Sequence, residues 1–99
     1  MRAALADGSP VFVGGYVDSA YEAWRVGQRA LGIPNEADPN GGGHATVVVE
    51  SFDNDDGSSD FSDLTSWGAG FGGDGGHVRV SQWWLASMWD AFVVTARVA

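Results

Sequence analysis

Chemistry in this chain has to be built from a short list of side chains. There is no cysteine among its 99 residues, which excludes a thiol nucleophile, a disulfide and a thiolate metal site. His44 and His77 are the two histidines. Taken together as metal ligands they lack a third ligand at short spacing, so no metal is expected. Nine serines are present, but none stands in a G-x-S-x-G elbow or another recognised nucleophile setting. The acidic stretch 53–60, DNDDGSSD, places Asp53 and Asp55 at the first spacing of a calcium loop. Its fifth position is Gly57 and its twelfth Leu64, which does not suit an EF-hand, and a solvated hairpin tip is the expected form. The glycines around Asp74 are not followed by Gly-Lys-Ser/Thr, and the chain has no lysine, so a phosphate loop is not expected. Trp83 and Trp84 are adjacent, and read either as a sugar or peptide platform or as core plus interface. No cofactor is expected.

These residues must be positioned by short strands and turns. Residues 64–80, LTSWGAGFGGDGGHVRV, organise the rest: an extended segment, a hard turn, a glycine run and a second extended segment. Six glycines fall between Gly68 and Gly76, with Trp67 and Phe71 set among them. A flexible linker carries serines there, so local physics reads a glycine-rich hairpin loop clamped by two rings. Ahead of it, residues 2–6 form one helical turn broken by 7–10, and 11–13 form a buried strand continued through Gly14 and Gly15 to Val17. Two glycines inside a strand indicate a bulge or a close backbone neighbour.

Asp18 or Ser19 caps a helix expected over 19–31, with Ser19-x-x-Glu22 at capping-box spacing. Tyr21, Trp24, Gln28 and Leu31 fall on one side of it, and Gly32 and Pro34 end it. Residues 33–43 are a loop. The best strand is 44–52: His44, Thr46, Val48 and Glu50 lie on one face, and Ala45, Val47, Val49 and Ser51 on the other. Both faces are apolar in the middle, which suggests a central strand. The polar turn 53–60 joins it to a strand at 61–67, and a hairpin follows naturally. Residues 77–80 form a strand, Ser81 caps a helical turn over 82–87, and alternation from Trp89 onward reads as a closing strand.

Composition sets the bounds. The chain, 1–99, makes a single domain, 44% hydrophobic and 18% charged, which suits a folded globule. The formal charge is −8, with five arginines and no lysine. That balance argues against a nucleic-acid surface, which needs basic density to neutralise phosphates. No apolar run approaches the ~20 residues of a membrane span, and the start of the chain does not read as a signal peptide.

The glycine-rich block and three other stretches together resemble papain-like cysteine peptidases. That family carries an N-S-W-G motif followed by a glycine-rich run, and TSWGAGFGGDGGHVRV is similar to it. Gly42-Gly43-His44-Ala45 and the following Thr46-Val47-Val48-Val49 resemble the strand that begins with the family's catalytic histidine. RAALADGSPVFVGGYVDSAYE resembles the segment before that histidine, and SQWWLASMWDAFVVT the closing helix and strand. The resemblance covers only the family's C-terminal, mostly β half. In the family the matching histidine takes a proton from a cysteine, and the asparagine of N-S-W-G orients its ring. Here the cysteine-bearing helix and the glutamine segment of the oxyanion hole have no counterpart, and Thr65 stands at the asparagine position.

The expectation is therefore an α+β fold: a small twisted antiparallel β-sheet or half-barrel with one flanking helix, in papain-like β-domain topology. The expected function is that of a non-catalytic papain-like domain, a structural or protein-interaction module, with a virion or assembly component as one concrete form. Two alternatives stand beside it. One is half of a split cysteine peptidase whose nucleophile is on another chain; the other is a small peptide- or glycan-binding module. His44 and Thr65 are vestigial catalytic positions, and His44, Thr65, Trp67, Phe71, Trp83 and Trp84 are the candidate interface residues. The expected partner is another protein or a large assembly, then a homo-oligomer, with no nucleic acid and no membrane.

Overall fold

The structure, a computed structural model, describes residues 5, 9–65 and 75–93. Among the described residues five strands and two short helices follow one another: β1 (Val11–Val17), α1 (Ser19–Ala23), β2 (Gly42–Asp53), β3 (Ser59–Leu64), β4 (His77–Ser81), α2 (Gln82–Ala86) and β5 (Asp90–Val93). The strands form one sheet in the order β4-β3-β2-β1-β5, and every neighbouring pair is antiparallel. The expected antiparallel α+β sheet is present, with β2 at its centre, and two short helices stand in place of one flanking helix.

Alternation decides which side chains go inward. Val11, Val13 and Val17 of β1 are buried while Phe12, Gly14 and Tyr16 are half-buried. Register carries the inward face across the sheet: Val13 pairs with Thr46, Val11 with Val48, Val48 with Asp63, and Asp63 with Val78. Tyr21, Trp24 and Trp84 complete the core on that face. The other face of β2 is thinly covered among the described residues, with Ala45 and Val49 exposed.

Strict alternation fails within β2. The β2–β3 register shifts between Val48 and Glu50, a bulge that leaves Val49 as the extra residue. Glu50 then pairs with Ser62 and Ser51 with Phe61, so Glu50 lies on the face opposite Val48. The bulge keeps a carboxylate out of the core, where burial without a partner is costly.

The helix expected over 19–31 ends at Ala23, with Trp24 extended at φ −61°, ψ 139°. Local bonds compete with the helix ladder there. The Arg25 guanidinium donates to the carbonyls of Glu22 and Trp24, and Gln28 Oε1 accepts from the Arg25 amide. Gly27 turns the chain at φ 92°, and the Trp24 indole donates to the Arg29 carbonyl. Leu31 then lies beside β4, its amide donating to Arg79 and its carbonyl accepting from Ser81. Asp18, not Ser19, caps α1: its carboxylate accepts from the Ala20 amide, while the Ser19 hydroxyl donates to Asp38.

The polar turn after β2 is a hairpin tip. Asn54 N–H donates to the Ser58 carbonyl, Asp56 accepts from the Ser58 amide and hydroxyl, and Gly57 takes a positive φ of 87°. Asp53 accepts from Ser59. The β3–β4 hairpin is closed by a bond from the Thr65 amide to the Gly76 carbonyl. Trp67 and Phe71 lie outside the described residues. At Gly15, a Cβ would stand within 3.0 Å of the Met88 backbone, so the chain needs glycine for a close neighbour.

Candidate functional site

His44 and Thr65 sit on the inward side of the sheet, and the chain itself fills the space above them. The short helix α1 places Tyr21 there, fully buried. One side of its ring stacks on Trp84, with centroids 5.8 Å apart and planes 17° apart. His44 meets it edge-on at 6.1 Å and 65°. The Tyr21 hydroxyl donates to Asp63 at 2.7 Å, and the Thr46 hydroxyl donates to the other Asp63 oxygen at 2.6 Å. Thr65 is buried as well.

Burial sets the charges of this cluster. It pushes the Asp63 carboxyl up to about 6, although the bonds from Thr46 and Tyr21 and the charge of His77 pull the other way. The Tyr21 hydroxyl is raised far above its ordinary range, first by burial and then by the neighbouring Asp63 carboxylate. Burial holds the His44 imidazole below its usual value, which favours the neutral ring. Its Nε2 is a buried atom, while His44 also borders a depression of about 200 Å³ lined by Val17, Glu22, Asn40 and Gly41–Gly43. The result is a satisfied carboxyl beneath a tyrosine lid, with hydroxyls that donate to it and a histidine against the ring.

Residue patterns pointed to His44 and Thr65 but not to Asp63 or Tyr21. The signal for Asp63 was in the strand SDFSDL, where it keeps step with the buried Phe61. A carboxyl on an inward register has to find donors, and Thr46 on the neighbouring strand supplies one.

The two tryptophans of α2 part company. Ser81 caps the helix by accepting from the Trp84 amide at 3.2 Å. Successive helical residues point about 100° apart, so Trp84 goes into the core at 1% exposure while Trp83 stays outside at 51%. Trp84 therefore belongs to the packing and presents no platform. Trp83 borders an open groove of about 600 Å³ between the β2–β3 turn, β4 and residues 28–32. His77 lies elsewhere, half-buried, with Nδ1 2.9 Å from the Ser62 hydroxyl. Among the described residues no three histidine or carboxylate side chains are grouped to hold a metal ion, and no helix is long and apolar enough to cross a membrane. No protein-family model matches the chain, and no curated protein matches it.

Proposed function

We propose that this chain is a non-catalytic structural or protein-interaction module, related to the β domain of papain-like peptidases by the motifs around His44 and Thr65. Tyr21 carries the reading. In a peptidase of that family the histidine face opens onto the substrate cleft; here Tyr21 packs over His44, bonds to Asp63 and is itself fully buried. A second chain bringing a cysteine would have to displace a core side chain, which disfavours the split-peptidase alternative. The cover supplied by α1 and Trp24 also removes any need for a partner on that face. Partner binding then falls to the outer face of the sheet, where Val49 is exposed and Phe12, Val47 and Leu64 are half-buried. Another protein or an assembly is favoured over self-association, because a formal charge of −8 repels a second copy.

The purified chain is expected to show no peptide hydrolysis, and the His44 ring to titrate below the ordinary histidine range by NMR. Turnover that survives purification and is abolished by His44→Ala overturns the non-catalytic reading.

A further inference from the structure

We infer that the groove beside Trp83 is a binding site for a neutral oligosaccharide, a reading that stands apart from the one given for the His44 face. The groove holds about 600 Å³, within the range of small-ligand sites. Its floor is organised before any ligand arrives. Trp83 is half-exposed, and the backbone that carries it is held, because its neighbour Trp84 is buried in the core and Ser81 caps the helix they share. The Gln82 side chain accepts from the Ser59 amide at 2.7 Å, tying the same helix to the start of β3. An exposed indole face suits the apolar C–H face of a pyranose ring, and a backbone ordered in advance lowers the cost of binding.

The walls supply hydrogen-bonding groups of both kinds. Asp60 and Arg79 are paired at 3.3 Å, and the Arg79 guanidinium is also held over the Phe52 ring at 4.1 Å. Both line the groove, as do Asn54 and Asp56 of the hairpin tip and Arg29 of the facing segment. Sugar hydroxyls are donors and acceptors at once, so vicinal pairs fit carboxylates beside guanidinium and amide groups. Two arginines against two aspartates leave the lining balanced, in a chain whose formal charge is −8. A strongly charged ligand of either sign gains little there, which points to a neutral one.

A peptide fits less well. Extended peptides take affinity from a free strand edge and specificity from apolar pockets. Next to this groove the β4 edge is already occupied by Leu31, bonded to Arg79 and Ser81. Among the described lining residues the one large exposed apolar side chain is Trp83.

The test is titration of the intact chain with neutral gluco-, xylo-, manno- and chito-oligosaccharides, followed by tryptophan fluorescence and calorimetry. Trp83→Ala and Asp60→Asn are the groove variants, and Trp89→Ala, 64% exposed against 51% for Trp83 and outside the groove, is the control. Saturable binding to at least one saccharide class is expected, weakened about tenfold or more by Trp83→Ala and by Asp60→Asn but unchanged by Trp89→Ala. A circular dichroism spectrum matching the parent establishes that each variant is folded. Failure of every saccharide to bind at millimolar concentration, binding indifferent to Trp83→Ala, or occupation of the groove by peptides alone overturns the assignment. None of these outcomes bears on peptide hydrolysis, so this site and the His44 reading fail separately.

Discussion

His44 and Trp83 were both candidates for surface chemistry, yet the fold treats them in opposite ways. Above His44 the chain supplies a complementary ring: Tyr21 fits between His44 and Trp84 and finds Asp63 for its hydroxyl. Around Trp83 the described lining is mostly polar, with Asp60 paired to Arg79 and Asn54 bonded to Ser58, and the indole stays half-exposed. The contrast teaches that an aromatic side chain with one polar tip seals a cavity when a buried acceptor awaits that tip. Where the surroundings are polar and solvated, the same apolar area stays open.

The strongest way to break this contrast is through the adjacent pair on α2. Trp84→Ala is expected to cost about 3–5 kcal/mol, the usual range for a large buried ring, since Tyr21 and the core valines would line the gap. Chemical denaturation measures it. A loss below about 1 kcal/mol would mean that Trp84 does not anchor α2, and the reason for a held backbone at Trp83 would go with it.

The buried carboxyl offers the next largest effect, and its sign can be worked out. Asp63 titrates near 6 in the folded chain against 3.8 for an ordinary aspartate, so the native state binds its proton more tightly. Stability from this group is greatest below about pH 4, falls as pH rises towards 6, and above that is lower by on the order of 3 kcal/mol. His44 acts in the opposite sense. Its folded value lies below 6.5, so stability is lost as pH falls through that value. Asp63→Asn should remove the decline between pH 4 and 6 and leave the His44 slope, seen in urea midpoints across that range. An unchanged pH profile would place Asp63 in water and dissolve the sealed cluster.

The smallest effect is expected at the open end. Trp83→Ala should change stability by no more than about 0.5 kcal/mol, because half of the side chain already faces solvent and it belongs to no core cluster. A melting temperature shifted as far as by Trp84→Ala would show that the groove side is packed as tightly as the His44 side.

Local pattern carried much of the sheet. The alternation of β1 and β2, the polar hairpin tip, the Ser81 cap and the central place of β2 follow from period-two patterning and turn chemistry, which act over a few residues. Of the stripe Tyr21, Trp24, Gln28 and Leu31, three side chains turn to the core while Gln28 stays exposed, and a helix was the wrong means of delivering them. Helical spacing identifies which residues share a side; it does not register that Arg25 and Gln28 cap their own neighbours or that Leu31 finds an edge on β4. The bulge at Val49 likewise depends on how β3 pairs, which no single strand encodes.

The candidate site divides along the same line. Sequence by itself determined the chemistry available: no thiol, two histidines, a −8 charge and two adjacent tryptophans. Only the tertiary structure decided that Asp63 meets Thr46 and Tyr21, since these residues lie 17 and 42 positions from it. It also decided that one tryptophan seals the core and the other borders a groove assembled from three distant segments. The physical reason is that burial and hydrogen-bond partners are properties of neighbours brought together across the sheet, and their identity is settled only when the strands choose a register.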